Sequence, residues 1–449
     1  MSKAKPDAPA TADAKAGAKL KRTAIPKLPE LYYEARRKTY WLRAGQEFIE
    51  QDNGDLSRRL RYCGLENDHR EIGLNDVDRH ILKLQDEHRV DMALALSGQR
   101  VGLRELGAFK VLVTKQPRDV FEKLPPAKWG DFPNFERLLG ELLPDAQWEY
   151  VAAWLKVRLE SLREGRWQPG PACVFVGDSA CGKSFFQWLI TQVLGGRGAD
   201  PWRYLSGETN FNADLAEAEH WAIEELKGSA SYNDRAELGE AWKQVCVSHQ
   251  MSVHPKQGKA MLLPVWKCLT VSANNESEAL AKLPPFTPSN LNKVQLFKCG
   301  TVSGLSERYE DNQRAFLPEL PAFRAWLCRW KIPAKLRTRE DQFKRYSHDC
   351  YWHPEILAEV NGMSPEEQLL ALIDMAIFTP ERNGSPWVGL SLKLHADLLE
   401  NQQFRSQALQ LLPHATTAGK LLGRLEVRYP GRVSSIMSMG HRKWTLSAP

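Results

Sequence analysis

The chain has 449 residues, of which 43% are hydrophobic and 26% charged, and a net charge of +6. This is the composition of a globular protein with room for about three domains; no stretch approaches the ~18 uninterrupted apolar residues of a membrane span, and no apolar segment follows the first lysines as a secretory signal requires. Eight scattered cysteines contain no C-x-x-C pair, so neither a disulfide framework nor a zinc site is indicated, and a cytoplasmic protein associated with a bacterial nucleoid is expected.

The charge is unevenly placed. Residues 1–29 hold seven Lys and Arg against two Asp, and residues 405–449 hold seven against one Glu, so the positive charge sits at the two ends. That pattern favours two polyanion-contacting ends over a uniformly basic body. Residues 1–28 are rich in Ala, Lys and Pro, cannot bury enough apolar surface to offset ordering entropy, and are expected to be disordered. They form either a solvated tail or a basic arm that adds non-specific affinity for DNA.

Residues 29–122 read as a small α/β domain. The aromatic-rich run from Leu31 to Ile49 reads as a hairpin, Leu56 to Leu65 and Asp76 to His88 as helices, the second capped by Asn75, and Val101 to Thr114 as another hairpin. Asp76 and Asp78 superficially match the paired acids of a primase or polymerase centre, but acids also favour a helix start through the dipole. Residues 123–168 read as a helical collar, closed by Pro169-Gly170.

An apolar strand over 171–176 then leads into Gly177-Asp178-Ser179-Ala180-Cys181-Gly182-Lys183-Ser184, and an apolar helical run follows to Leu194. The spacing G-x-x-x-x-G-K-S between a strand and a helix is that of a phosphate-binding loop. Gly177 and Gly182 permit backbone geometry and close approach that a Cβ would block. The loop amides and helix N-terminus form an anion cradle, Lys183 reaches the β- and γ-phosphates of ATP, and the Ser184 hydroxyl ligates Mg²⁺.

Tyr204-Leu205-Ser206 reads as a short second strand, and His220-Trp221-Ala222-Ile223 as a strand that ends in Glu224-Glu225. Two carboxylates beside a phosphate loop serve Mg²⁺-dependent hydrolysis, Glu224 toward the metal and Glu225 toward the attacking water. A helix over 234–250 is followed by two extended arms around a tip bracketed by Pro255 and Gly258, with His254, Lys256 and Lys259 expected exposed. This is either an ordinary charged turn or a hairpin that grips DNA phosphates. Lys267 to Asn275 reads as a further strand, whose end would bring Asn274 beside the phosphate loop if the sheet is parallel; Lys293 to Cys299 reads as the next strand.

Phosphate loop, apolar-Glu-Glu, basic hairpin and apolar-Ser-x-Asn within residues 170–300 resemble motifs A, B, B′ and C of superfamily-3 helicases, of the primase-helicase type of phages, plasmids and integrated elements. The resemblance implies an AAA+ ATPase domain over 169–335, a homo-hexameric ring, and 3′-to-5′ translocation on single-stranded DNA through a pore lined by His254, Lys256 and Lys259. It implies an ATP site of Lys183, Ser184, Glu224, Glu225 and Asn274. The family supplies an arginine from the neighbouring subunit at the start of the strand after motif C. This chain has Asn292-Lys293 there, so either Lys293 or Arg308 supplies the charge, and lysine lacks the planar fork of arginine.

Beyond the core, residues 315–352 mix aromatic and basic side chains, as lid helices packing on the ATPase or as a stacking surface for nucleic acid, and 336–362 reads as a linker. Residues 363–449 read as three helices and a two-stranded wing turned at Met439-Gly440, the pattern of a winged helix. Lys420, Arg424 and Arg428 on the last helix, with Arg442 and Lys443 on the wing, would contact duplex DNA; a basic protein-interaction wing is the alternative. The expected fold is therefore α/β: an AAA+/ASCE P-loop ATPase core with a small N-terminal module, helical collar and winged-helix domain. The expected function is a replicative helicase or initiator, acting with a separate primase; the alternative is an ATP-switched regulator or loader that assembles on DNA without unwinding.

Overall fold

The apolar run Ala172–Gly177 is buried along its whole length, as the centre of a parallel sheet requires. In the computed structural model, which describes residues 27–66, 73–227, 232–256, 259–286, 289–362, 364–378, 384–438 and 440–448, this strand pairs with Cys268–Asn274 on one side and Val294–Lys298 on the other. His220–Ile223 pairs beyond Cys268–Asn274, and Gly198–Ala199 forms the far edge. All these pairings are parallel, so the carboxyl ends of the strands share one rim. The tail expected to be disordered lies almost wholly outside the described residues, as does Met439.

The chain divides after Asp91 into two compact units. In the first, the run expected as a hairpin is a meander of Leu31–Glu34, Thr39–Ala44 and Glu47–Gln51, with Arg89–Val90 added in parallel. Lys38 and Gly45, both at positive φ, turn it twice. Helices Asn53–Tyr62 and Asp76–Glu87 place Leu56, Leu60, Val77 and Ile81 against Leu31, Tyr40 and Leu42. Both helices start at a side-chain cap: Asp52 accepts from Asp55 N at 2.7 Å, and Asn75 from Asp78 N at 2.8 Å. Asp76 and Asp78 thus sit in the first turn of a capped helix, which accounts for both acids.

The hairpin Gly102–Leu106 and Phe109–Val113, expected with the N-terminal domain, belongs to the second unit. With Met92–Leu94 it forms a three-stranded sheet whose Met92, Leu94, Val111 and Val113 share one core with Val174, Trp221 and Val271. A buried ion pair secures it. Arg197 Nε donates to Glu219 Oε2 at 2.8 Å, its Nη1 donates to Ala95 O at 2.8 Å and Lys115 O at 3.1 Å, and Glu219 also accepts from Gly98 N at 2.9 Å.

The opposite face of the central sheet is covered by the collar helices Pro133–Leu142 and Gln147–Arg163 and by Tyr309–Phe316 and Leu320–Arg329. Phe323 stacks on Phe135 at 4.4 Å and Trp326 is buried, so these aromatic side chains are core rather than nucleic-acid platforms. The Gln147 side chain pairs with the backbone of Lys298, donating to its carbonyl and accepting from its amide, both at 2.9 Å. That locks the collar to the edge strand.

Two further expectations differ from the structure. Tyr204-Leu205-Ser206 is not a strand: Trp202–Leu205 is a short helix started at Pro201, with Trp202 and Leu205 buried at helical spacing. Residues 336–362 are not a linker. Leu296 N donates to Tyr351 O and His353 N to Leu296 O, each at 2.9 Å, so the segment extends the sheet edge, and helix Pro354–Gly362 buries Ile356 and Val360. The apolar side chains Trp352, Ile356 and Val360 supply the burial that a solvated linker lacks.

The C-terminal segment has its own core around Leu369, Trp387, Leu398, Leu422 and Trp444. It contains helices Pro365–Ala376, Ser391–Glu400, Arg405–Leu411 and Ala415–Arg428, one more than expected. Strand Trp387–Leu390 joins the hairpin of Val433–Ser438 and His441–Leu446 into a three-stranded sheet. Removing one partner of a buried pair strands the other, so Arg197→Ala is expected to lower stability by about 3–5 kcal/mol. Chemical denaturation checks this, and a loss below about 1 kcal/mol would show that the pair does not secure the 92–116 segment.

Candidate nucleotide and nucleic-acid sites

The phosphate loop turns where the sequence allows it. Ala180 and Gly182 lie at φ 58° and 112°. A Cβ on Gly177 would stand 2.8 Å from Cys299 Cβ and 2.9 Å from Cys299 O, and one on Gly182 would crowd Val302 and Leu305. Asp178, Ser179 and Ala180 are exposed, Cys181 and Lys183 are buried, and Ser184 is exposed in the first turn of helix Lys183–Val193. Lys183 Nζ donates to Gly177 O at 2.9 Å and Asp178 O at 2.6 Å, and lies 3.4 Å from Asn274 Oδ1. Among the described residues it makes no ion pair. A buried ammonium surrounded by neutral partners fits a phosphate ligand.

Asn274 reaches this position through strand register. It stands directly across from Gly177 in the parallel ladder. The next residue, Asn275, donates from Nδ2 to Asp178 Oδ1 at 2.5 Å, adding a tie between strand end and loop that the sequence did not signal.

The helix is keyed to the sheet by a buried polar seam. Gln187 Nε2 donates to Thr270 Oγ1 at 2.8 Å, and Ser272 Oγ donates to Gln187 Oε1 at 2.7 Å. His220 lies between Thr270 Oγ1, 2.8 Å from Nε2, and Thr191 Oγ1, 2.7 Å from Nδ1. Thr191 Oγ1 donates onward to Gln187 O at 3.1 Å. Every donor finds an acceptor when His220 is neutral with its proton on Nδ1 and the Thr270 hydroxyl donates to Nε2. Burial agrees, lowering the His220 pKa to about 3. The signal available in the sequence was the polar residues at alternate positions 270 and 272 of an otherwise apolar strand.

Glu224 and Glu225 are exposed just past His220–Ile223, on the same rim as the loop but separated from its strand by Cys268–Asn274. Tyr309, not singled out from the sequence, joins this region. Its ring packs edge-on against Phe185 and Trp188, 5.8 and 5.6 Å away between centroids. Burial, and next the Glu224 carboxylate, push its pKa up to about 12.

The two candidate trans-acting cations differ in placement. Lys293 precedes the edge strand at its amino end, across the sheet from the chain's own phosphate loop. It is buried, donating to Ser289 O at 2.6 Å and Asn292 Oδ1 at 2.7 Å, and burial lowers its pKa. Arg308 is exposed at the start of helix Tyr309–Phe316, one residue before the ring that packs on the loop helix.

The basic hairpin is present as Gln250–Val253 paired antiparallel with Met261–Pro264; 257–258 lie outside the described residues. Lys256 and Lys259 are exposed, whereas His254, expected exposed, is half-buried. The His254 amide donates to Asn212 Oδ1 at 2.7 Å, and the ring Nε2 is 2.9 Å from Ser252 Oγ, so His254 anchors the arm rather than tipping it.

In the C-terminal segment, Lys420, Arg424, Arg428, Arg442 and Lys443 are all exposed. Three of them are held by carboxylates: Arg424 by Glu366 at 3.5 Å, Arg428 by Glu367 at 2.8 Å and Arg442 by Glu426 at 2.9 Å. Lys420 and Lys443 take no part in an ion pair among the described residues. Lys420, Ser391, Thr416, His441 and Arg442 line a groove of about 630 Å³ between helix Ala415–Arg428 and the wing.

A glycine loop between a central parallel strand and a helix, with a lysine, an asparagine and two acids at one rim, defines a P-loop α/β fold. No family model and no curated protein matches the chain. Among solved structures it is similar to the apo structure of the NrS-1 C terminal region, at 13% identity and a TM-score of 0.56, with 94% of this chain and 96% of that chain covered. The A form of the same region gives a TM-score of 0.56 at 12% identity, over the same shares. At that identity the likeness is one of fold.

The seam makes the core acid-sensitive. His220 titrates near 6.5 when unfolded and near 3 when folded, so below pH ~6.5 the unfolded chain binds the extra proton. Stability should therefore fall by up to about 1.4 kcal/mol per pH unit as pH drops through that window. Denaturation at several pH values should show a shallower fall for His220→Gln; equal slopes would mean that His220 is protonated in the fold.

Proposed function

We propose that the chain is an ATP-driven DNA helicase of the superfamily-3, AAA+ type, serving replication of a mobile element. The observation that carries the reading is the meeting of Lys183 with Asn274 at 3.4 Å, on the rim from which Glu224 and Glu225 also emerge. In this reading the loop amides and Lys183 would hold the phosphates of ATP, and Ser184 and Glu224 would hold Mg²⁺, which when bound would supply charge neutralisation of the phosphates and ordering of water. Glu225 orients the attacking water and accepts its proton, and Asn274 fixes the γ-phosphate or that water.

A homo-hexameric ring would place Lys256 and Lys259 in its pore, on single-stranded DNA moved 3′ to 5′. A neighbouring subunit would complete each ATP site with Lys293 or Arg308. The exposure of Arg308 favours it, since Lys293 must first leave Ser289 and Asn292. The C-terminal segment has the helix-then-wing order of a winged helix and would bind duplex DNA, with Lys420 and Lys443 as the cations most available to phosphates. A separate primase would act alongside.

Lys183→Ala is expected to abolish hydrolysis, by at least about 100-fold, in a phosphate-release assay; a fully active variant would refute the site. Lys256→Ala with Lys259→Ala should abolish strand displacement on a forked duplex while nucleotide affinity stays unchanged. Unwinding at the parental rate would eliminate the helicase reading and leave an ATP-switched regulator or loader.

A further inference from the structure

The phosphate loop is bracketed by two thiols. Cys299 follows the edge strand, where its amide donates to Val176 O at 2.6 Å, and this sets it against Gly177. The point where a Gly177 Cβ would stand is 2.8 Å from Cys299 Cβ and 3.2 Å from Cys181 Sγ, so these two atoms are at most about 6 Å apart. A disulfide sets the sulfur of one cysteine about 3 Å from the Cβ of the other, so closing the bond takes a loop movement of up to about 3 Å. Lys183 Nζ lies 3.7 Å from Cys181 Sγ and supplies the positive charge that a reacting thiolate needs. Burial raises the pKa of the Cys299 thiol, so Cys181, beside the Lys183 ammonium, is the thiol that reacts first.

We infer that Cys181 and Cys299 form an oxidisable dithiol whose disulfide locks the phosphate loop against the edge strand. The oxidant is a hydroperoxide. The Cys181 sulfur attacks the terminal peroxide oxygen, the O–O bond breaks, and the departing oxygen leaves as water or alcohol with the thiol proton; Cys181 becomes a sulfenic acid. The sulfur of Cys299 then attacks that of Cys181, the S–O bond breaks, water leaves, and the S–S bond forms. Two electrons pass from the thiols to the peroxide. The bond draws Cys181 toward Cys299 and displaces the amides and carbonyls that position Lys183. A thiol reductant reverses it. Glycine at 177 leaves the gap between the sulfur-bearing residues open, since any Cβ there would overlap Cys299.

The loss of nucleotide binding rests on the proposed ATP site; the cross-link does not. The full chain is treated with hydrogen peroxide, digested without reduction, and searched by mass spectrometry for the peptide of Cys181 joined to that of Cys299. Affinity for a fluorescent ATP analogue is measured before oxidation, after it, and after dithiothreitol. The expected result is the Cys181–Cys299 linkage with at least a ten-fold loss of affinity, restored by reduction. Cys299→Ser should bind nucleotide like the parent when reduced, form no such linkage, and keep its affinity through peroxide. Absence of the linkage, its formation with other cysteines instead, or unchanged affinity once it forms would overturn the lock. Reduced protein that binds no nucleotide would defeat the ATP site while leaving the linkage result to stand separately.

Discussion

The structure depends on a buried polar seam inside an otherwise apolar layer. Gln187 and Thr191, on the helix that follows the phosphate loop, share hydrogen bonds with His220, Thr270 and Ser272 on two strands of the sheet. Apolar surfaces alone would let the helix slide by a fraction of a turn at little cost, because burial is non-directional. Each broken bond in the seam leaves a buried group unsatisfied at about 1–3 kcal/mol. The seam therefore makes the register discrete. The helix begins at Lys183, one strand ends at Asn274, and the other ends before Glu224, so one set of side chains fixes how all three reach the rim.

Charge is used differently in the core and in the C-terminal segment. At the rim, Lys183 makes no ion pair among the described residues and meets carbonyl and amide oxygens and the Cys181 sulfur. In the C-terminal segment, Arg424, Arg428 and Arg442 face glutamates. Exposed pairs of this kind contribute little stability, but each holds a side chain in place and lowers the local positive potential. The basic end of the chain is thus less available to a polyanion than its composition indicates, and Lys420, which lines the groove beside the last helix, is among the cations left without an ion pair among the described residues.

Much of the architecture was legible in the sequence. The phosphate loop, the acid-ended strand, the asparagine-ended strand, the hairpin arms and the last helix all follow from short-range patterns of glycine, apolar runs and turn residues. The misreadings have a common cause. Tyr204-Leu205-Ser206 reads as extended because three residues do not establish a period, and Pro201 with the spacing of Trp202 and Leu205 decides for a helix over Trp202–Leu205. Residues 336–362 lacked a clear period, yet Trp352, Ile356 and Val360 fill the open edge of the sheet. The hairpin at 102–113 reads the same wherever it docks; Arg197 and Glu219, about a hundred residues onward, decide where.

What the sequence by itself determined is local: which segments form strands and helices, and that a glycine loop with Lys183 and Ser184 stands between one of each. These follow from backbone conformation and periodicity, which neighbouring residues control. What only the tertiary structure decided is which groups meet. Asn274 reaches Lys183 because parallel pairing sets it opposite Gly177. His254 is held by Asn212 rather than free. Cys299 and Cys181 come to opposite sides of Gly177. Such contacts join residues from 42 to more than a hundred positions apart, and their energies depend on burial and register, which exist only once the chain has closed on itself.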